Sequence, residues 1–333
     1  MKQALQNPAL SDDNRLHLDF ALGKALDDAG ETDSAFDHYA SGNAIRRSQT
    51  GYEPDDISRQ VEAARNLFTP EFLAARDGHG YPAADPIFIL GMPRAGSTLI
   101  EQILSCHSQV EGTMELPDIP RLAHQAVADG RYPRDLDKLD AAALSALGED
   151  YIEATRIQRR EGKPFFIDKL PNNWLNAGFI HMILPNARII DARRHPLDCC
   201  FSNFRQHFAR GQGFSYGLDD MGRYYRDYVR LMAHFDTVMP GRIYRVIHEE
   251  LLDDPEGQIR RMLDALGLPF EQACLDFHSS GRAVRTASSE QVRRPINRDG
   301  VDQWRAYADK LEPLRAALGP VLELYPDVPA FRE

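Results

Sequence analysis

At 333 residues, with 43% hydrophobic and 27% charged side chains, the chain has an ordinary globular composition and enough length to bury a large core. A formal net charge of -11 excludes a general binder of nucleic acid or of anionic membranes, since either needs a basic face, and any anion site must be a local cluster. The first residues hold no apolar signal core, no run approaches the ~18 apolar residues of a membrane span, and Cys106, Cys199, Cys200 and Cys274 show no C-x-x-C spacing, so the expectation is a cytoplasmic chain with buried, reduced thiols.

From Asp12 to about Arg47 the pattern predicts two amphipathic helices, with Leu16, Leu18, Leu22 and Leu26 on the first and Ala35, Phe36, Tyr39 and Ala40 on the second. Gly23, Leu26, Gly30, Ala35 and Tyr39 fall at the small and large positions of a tetratricopeptide repeat, and they equally suit an ordinary helical hairpin. A single repeat has no neighbours to stack on, so it must lean on the next domain or on a partner chain. Gly51 to Arg76 reads as further helix. The turn-rich stretch from Asp77 to Asp85 then marks a boundary between a helical domain, 1–80, and a larger one, 84–333.

Pro86 to Leu90 is a short apolar strand, Gly91 to Gly96 a loop punctuated by Gly and Pro, and Leu99, Ile100, Ile103 and Leu104 recur at helical spacing. A loop feeding a helix N-terminus collects backbone N–H groups and the positive end of the helix dipole, so it suits a phosphate or sulfate. Ser97 and Thr98 add hydroxyl donors, and Arg94 adds a permanent charge. The spacing G-x-x-x-x-G from Gly91 to Gly96 is that of a nucleotide P-loop, but Ser97 stands where its lysine should follow. An anion is expected there, rather than ATP with magnesium.

Glu115 comes shortly before two prolines, and its spacing alone leaves open a solvated loop residue, a helix cap or a general base. Leu139 to Arg159 reads as helix, Phe165 to Lys169 as a second strand, and Asn173 to Leu184 as helix. Lys169 at the strand exit sits where α/β sheets place their ligands. A third strand, Arg188 to Ala192, runs into Arg193, Arg194, His195 and a helix from Leu197 that carries Ser202. Asp191 has the position of a magnesium-binding strand end, but two adjacent arginines oppose a metal there. The Met and aromatic stripe from Tyr216 to Met239 reads as core. Arg242 to His248 is a fourth strand, Pro255 to Leu266 a helix ended by Gly267, and Trp304 to Leu318 a closing helix. The arginine-rich stretch from Arg282 to Arg298 is either a solvated loop or a local anion site. Alternating strands and helices predict an α/β fold with a parallel sheet covered on both faces, and the first loop, Lys169, Arg194 and His248 sharing one rim.

Met92 to Thr98, Met-Pro-Arg-Ala-Gly-Ser-Thr, resembles the phosphosulfate-binding loop of the sulfotransferase family, and Arg194 with Ser202 matches that family's Arg and Ser eight residues apart. The resemblance spans about Pro86 to Leu318 and is closest to tyrosylprotein sulfotransferase-like proteins, including bacterial ones fused to tetratricopeptide repeats. It implies a P-loop NTPase-like fold and the donor 3′-phosphoadenosine 5′-phosphosulfate (PAPS). Pro93, Arg94, Ala95, Gly96, Ser97 and Thr98 would hold the donor's phosphosulfate, and Arg194 and Ser202 its 3′-phosphate. The family's base is a Glu five residues before a Pro, as Glu115 stands before Pro120. Its Lys after the next strand, here Lys169, assists the leaving group. Its late Ser-x-x-Gln-Val segment, here Ser288 and Gln291 through Arg294, closes over the nucleotide. Pro117 stands where the tyrosylprotein enzymes have an Arg, and His248, another donor-site position, where the family commonly has a Tyr.

A sulfuryl group carries less negative charge than a phosphoryl group and passes through a similarly loose transition state, so Arg94, Lys169 and loop amides can take a metal's place, and none is expected. The implied partner is a hydroxyl acceptor, whether peptide tyrosine, sugar or small phenol, with a protein partner for the helical repeat and neither nucleic acid nor membrane. A P-loop kinase or nucleotide-binding enzyme is disfavoured by the missing loop lysine. A repeat scaffold with a vestigial nucleotide site is disfavoured by intact Glu115, Lys169 and Arg194.

Overall fold

A computed structural model describes residues 1–127, 130–209, 211–280 and 291–331. By compactness the chain divides into two units. The first gathers Met1–Ser58, His195–Asp227 and Asp299–Glu333, and the second gathers Arg59–Arg194 and Tyr228–Arg298. The boundary expected at Asp77 to Asp85 falls inside the second unit. Residues just before it belong there because the helix Pro54–Leu67 ends on Val61, Ala64 and Phe68, all buried, and Phe68 packs edge-on against Phe235 with its carbonyl oxygen 2.8 Å from His234 Nε2.

The second unit holds a five-stranded, wholly parallel sheet: β1 (Pro86–Gly91), β2 (Val110–Gly112), β3 (Phe165–Lys169), β4 (Arg188–Arg193) and β5 (Ile243–Ile247), in the order β2-β3-β1-β4-β5. The four strands read from sequence are all present. β2 is additional: its three residues, Val-Glu-Gly, are too few to show a period. Alternate residues of β1 serve two cores. Ile87 and Ile89 join Ile100, Ile103, Ile167, Ile190 and Leu263 on one face, while Phe88 packs with Tyr151 and Tyr151 with Phe166 on the other. Both faces are therefore covered, as the continuous apolar strands require. The register pairs Ile89 with Lys169, Gly91 with Ala192 and Arg193 with Ile247, so all five strands end along one edge. Strand order reverses about β1, which makes that edge the crevice where such sheets bind ligands.

In the first unit, helices Asp12–Asp28 and Thr32–Thr50 form the expected hairpin. A Cβ on Gly23 would lie 2.9 Å from the Tyr39 ring and one on Gly42 3.0 Å from the Phe20 ring, so the two helices approach through small residues facing aromatic ones. The hairpin leans on later segments of the same unit. Asp27 accepts from Arg205 Nη1 at 2.8 Å and from the Tyr307 hydroxyl at 2.5 Å, and Asn43 Nδ2 donates to the Phe204 carbonyl at 2.9 Å.

Two predicted helices are each divided. Thr69 caps a new helix, Pro70–Ala74, at 3.1 Å to the Phe72 amide, and the stretch Trp304 to Leu318 splits into a 3-10 helix, Gln303–Lys310, and an α-helix, Glu312–Leu318. In both cases a proline, Pro70 or Pro313, stands in the first turn of the second piece, because deeper in a helix it would clash with the preceding turn. Cys199, Cys200 and Cys274 are buried and Cys106 half-buried, all as free thiols. Among the described residues no helix is long and apolar enough to cross a membrane.

Candidate functional site

The loop after β1 is shaped by backbone sterics. Gly91 has φ +134°, and a Cβ there would fall 2.3 Å from the Ala192 carbonyl oxygen of β4, so the chain leaves the strand as no other residue could. Arg94 takes the left-handed conformation, φ +67°, unusual for a side-chain-bearing residue, and Gly96 follows at φ +96°. The Ala95 amide closes the turn on the Met92 carbonyl at 3.2 Å, and the Gly96 carbonyl accepts from the Leu99 and Ile100 amides as the helix Ser97–Ser105 begins. Pro93, Ala95, Ser97 and Thr98 are buried and Arg94 half-buried. Left-handed turns followed by a helix start give a concave array of amide donors under a positive dipole, which is an anion cradle.

Three side chains meet this loop or share its edge. Arg194, just past β4, is 8% exposed and donates from Nη1 to the Arg94 carbonyl at 3.1 Å, which ties the two strand exits together. His248, opening the helix His248–Asp253 after β5, stands so close to Gly96 that a Cβ on the glycine would meet its Nδ1 at 2.6 Å. Burial and then the Arg194 charge push the His248 pKa down to about 3, so the ring is neutral at physiological pH and Arg194 and Arg94 carry the local positive charge. Lys169, the last residue of β3 and 2% exposed, forms an ion pair with Glu115, whose side chain is half exposed. A buried ammonium thus faces a carboxylate that solvent, or a second substrate, can reach.

The remaining predicted residues are Ser202, Ser288, Gln291 and Arg294. Ser202 is buried on the helix Pro196–Phe204 of the first unit. Ser288 lies outside the described residues, as does the Gln291 side chain. The turn Gln291–Arg293 packs on the loop helix Ser97–Ser105, with Val292 buried and Arg294 exposed beside it.

Two buried carboxylates sit beneath the edge, and each follows from strand alternation. Asp191 accepts from Arg193 Nη2 at 2.9 Å, from Arg245 Nε at 3.0 Å and from the Tyr228 hydroxyl. Its lone pairs are engaged by cations of the protein itself, so it is the anchor of β4 against β5. Asp168, fully buried, accepts from the Tyr151 hydroxyl at 2.9 Å. Desolvation raises its pKa to about 8, against the smaller opposing effects of that hydroxyl, the Leu116 amide and Lys169. The sequence signal for both was an Asp inside an apolar strand, two residues or one before a basic strand end. Thr113 had no such signal, yet its hydroxyl donates to the Ile167 carbonyl of β3 at 2.5 Å and fixes the segment that leads to Glu115.

Comparison with known proteins agrees with this geometry. A family model described as the sulfotransferase family matches residues 86–272. An uncharacterised protein of Aquifex aeolicus is 32% identical over 326 residues, covering 94% of this chain and 43% of that protein. Protein-tyrosine sulfotransferase A of Caenorhabditis elegans is 24% identical over 250 residues, covering 70% of this chain and 65% of that protein. The chain therefore spans less than two thirds of the length of these two relatives. Among solved structures, the sulfotransferase domain of the Synechococcus PCC 7002 olefin synthase superposes with a TM-score of 0.51 at 25% identity, over 69% of this chain and 90% of that domain.

Proposed function

Because the chain belongs to the sulfotransferase family, we propose that it moves the sulfuryl group of PAPS to an acceptor hydroxyl by in-line displacement, with Glu115 as general base. The observation that carries this reading is the Glu115–Lys169 ion pair on the sheet edge that also bears the Gly91–Gly96 loop. Glu115 takes the acceptor proton as the new O–S bond forms. The S–O bond to the donor phosphate breaks, and Lys169 and Arg94 offset the charge that grows on that phosphate. Loop amides and the start of the helix Ser97–Ser105 hold the phosphosulfate, and Arg194 holds the ribose 3′-phosphate. Likeness to a protein-tyrosine sulfotransferase supports a peptide tyrosine as acceptor. The engagement of Asp191 by Arg193 and Arg245, and Ser97 in place of a loop lysine, favour this reading over a magnesium-dependent kinase.

Calorimetry tests the reading. 3′-Phosphoadenosine 5′-phosphate should bind at least ten-fold more tightly than AMP or ADP. Arg194→Ala should erase most of that preference with little effect on AMP, since a lost hydrogen bond to a charged group costs about 1.5–3 kcal/mol, or roughly 10- to 150-fold. Equal affinities, or a preference for ATP, would overturn it.

A further inference from the structure

A general base on a loop is useful only if the loop cannot wander, because a displacement of ~1 Å in a reacting group can cost ~100-fold in rate. The segment bearing Glu115 is exposed at Met114, Glu115 and Pro117, and it has no strand partner of its own after Gly112. A hydrogen bond before Glu115 and a buried side chain after it hold it in place. On the N-terminal side the Thr113 hydroxyl donates to the Ile167 carbonyl of β3 at 2.5 Å. On the C-terminal side the Leu116 side chain is buried. The strand itself is pinned at the next residue, where the Asp168 carboxylate accepts from the Tyr151 hydroxyl of the helix Ala141–Thr155 at 2.9 Å. Tyr151 and Asp168 are both fully buried, with Tyr151 wedged against Phe88 and Phe166.

Ile167, Asp168 and Lys169 are consecutive on one strand, so the backbone that anchors the loop also presents the ammonium that pairs with Glu115. We infer that Thr113, Asp168 and Tyr151 are positioning residues, a two-point clip that sets Glu115 against Lys169. The catalytic part of this inference rests on the function proposed above. Its structural part does not.

The test uses the full-length chain with Thr113→Val, Thr113→Ser and Tyr151→Phe. The first and last each remove one hydroxyl at nearly constant volume, whereas the serine keeps the bond. Amide hydrogen exchange over residues 113–116 should quicken at least ten-fold in Thr113→Val and Tyr151→Phe and stay near wild type in Thr113→Ser. Turnover should fall about ten-fold or more in the first two and recover in the serine variant, while affinity for 3′-phosphoadenosine 5′-phosphate stays within about two-fold of wild type throughout. Unchanged exchange in Thr113→Val and Tyr151→Phe overturns the clip whatever the activity. Faster exchange with wild-type turnover overturns its catalytic role. Wild-type turnover in Glu115→Gln would instead sink the general-base assignment and leave the exchange result to decide the clip.

Discussion

Asp168 lies where water does not reach it, and the consequence is a pH dependence opposite to that of most acidic residues. Its pKa in the folded chain is raised to about 8 from 3.8, by burial first, while the facing Tyr151 hydroxyl and Lys169 ammonium pull it down and Asp118 pushes it up. The folded state therefore holds a proton that the unfolded state releases. The stability contributed is fully present below about pH 4 and is lost progressively as pH rises towards 8, at up to about 1.4 kcal/mol per pH unit. Asp168→Asn cannot titrate, so the stability of the wild type relative to this variant should decline between pH 5 and 8. Urea denaturation at four pH values measures that difference, and a flat profile would show that Asp168 stays ionised when folded. His248 was legible as a rim residue from its strand exit alone. Its neutrality was not, since that depends on enclosure beside Arg194, contributed by a different strand.

At the scale of elements, the hairpin of the first unit depends on two places where an aromatic ring rests on a helix backbone. Gly23→Ala would drive a methyl group to 2.9 Å from the Tyr39 ring, itself buried, and the helices would have to separate. A loss of about 1–3 kcal/mol is expected despite the better helix propensity of alanine, and thermal unfolding would read it as a lowered Tm. An unchanged or raised Tm would mean that the tyrosine ring yields easily. The hairpin was legible because Gly23 and Tyr39 differ so sharply in size. β1 and β3 were legible because they are buried almost throughout, so they appear as short apolar runs. β2 escaped because three residues bounded by a glycine carry no such run. Its position is fixed by pairing with β3 and by the Glu111 carboxylate, which accepts from the Glu161 amide at 2.7 Å, a partner fifty residues away in sequence. The division of the two helices at Pro70 and Pro313 was legible in principle, since each proline could have been read as a helix start.

For the whole molecule, the first unit is assembled from three separated stretches, and Asp27 is one of the side chains at which they meet. Asp27→Ala removes an ion pair to Arg205 and a hydrogen bond to Tyr307. Both sides of that ion pair are partly exposed, so the expected cost is about 2 kcal/mol, or roughly 3 °C in Tm for a chain of this length. A chain beginning near Gly80 loses these contacts together with the hairpin core and should melt lower still. A truncated chain that melts like the full one would show that the helices are dispensable to stability. The same arrangement has a consequence during synthesis. The tyrosine that closes on Asp27 leaves the ribosome 280 residues after it. At roughly 5–20 residues per second, the nascent helices wait about a quarter of a minute to a minute before Tyr307 packs on Phe36, a window in which a holdase chaperone would find its target.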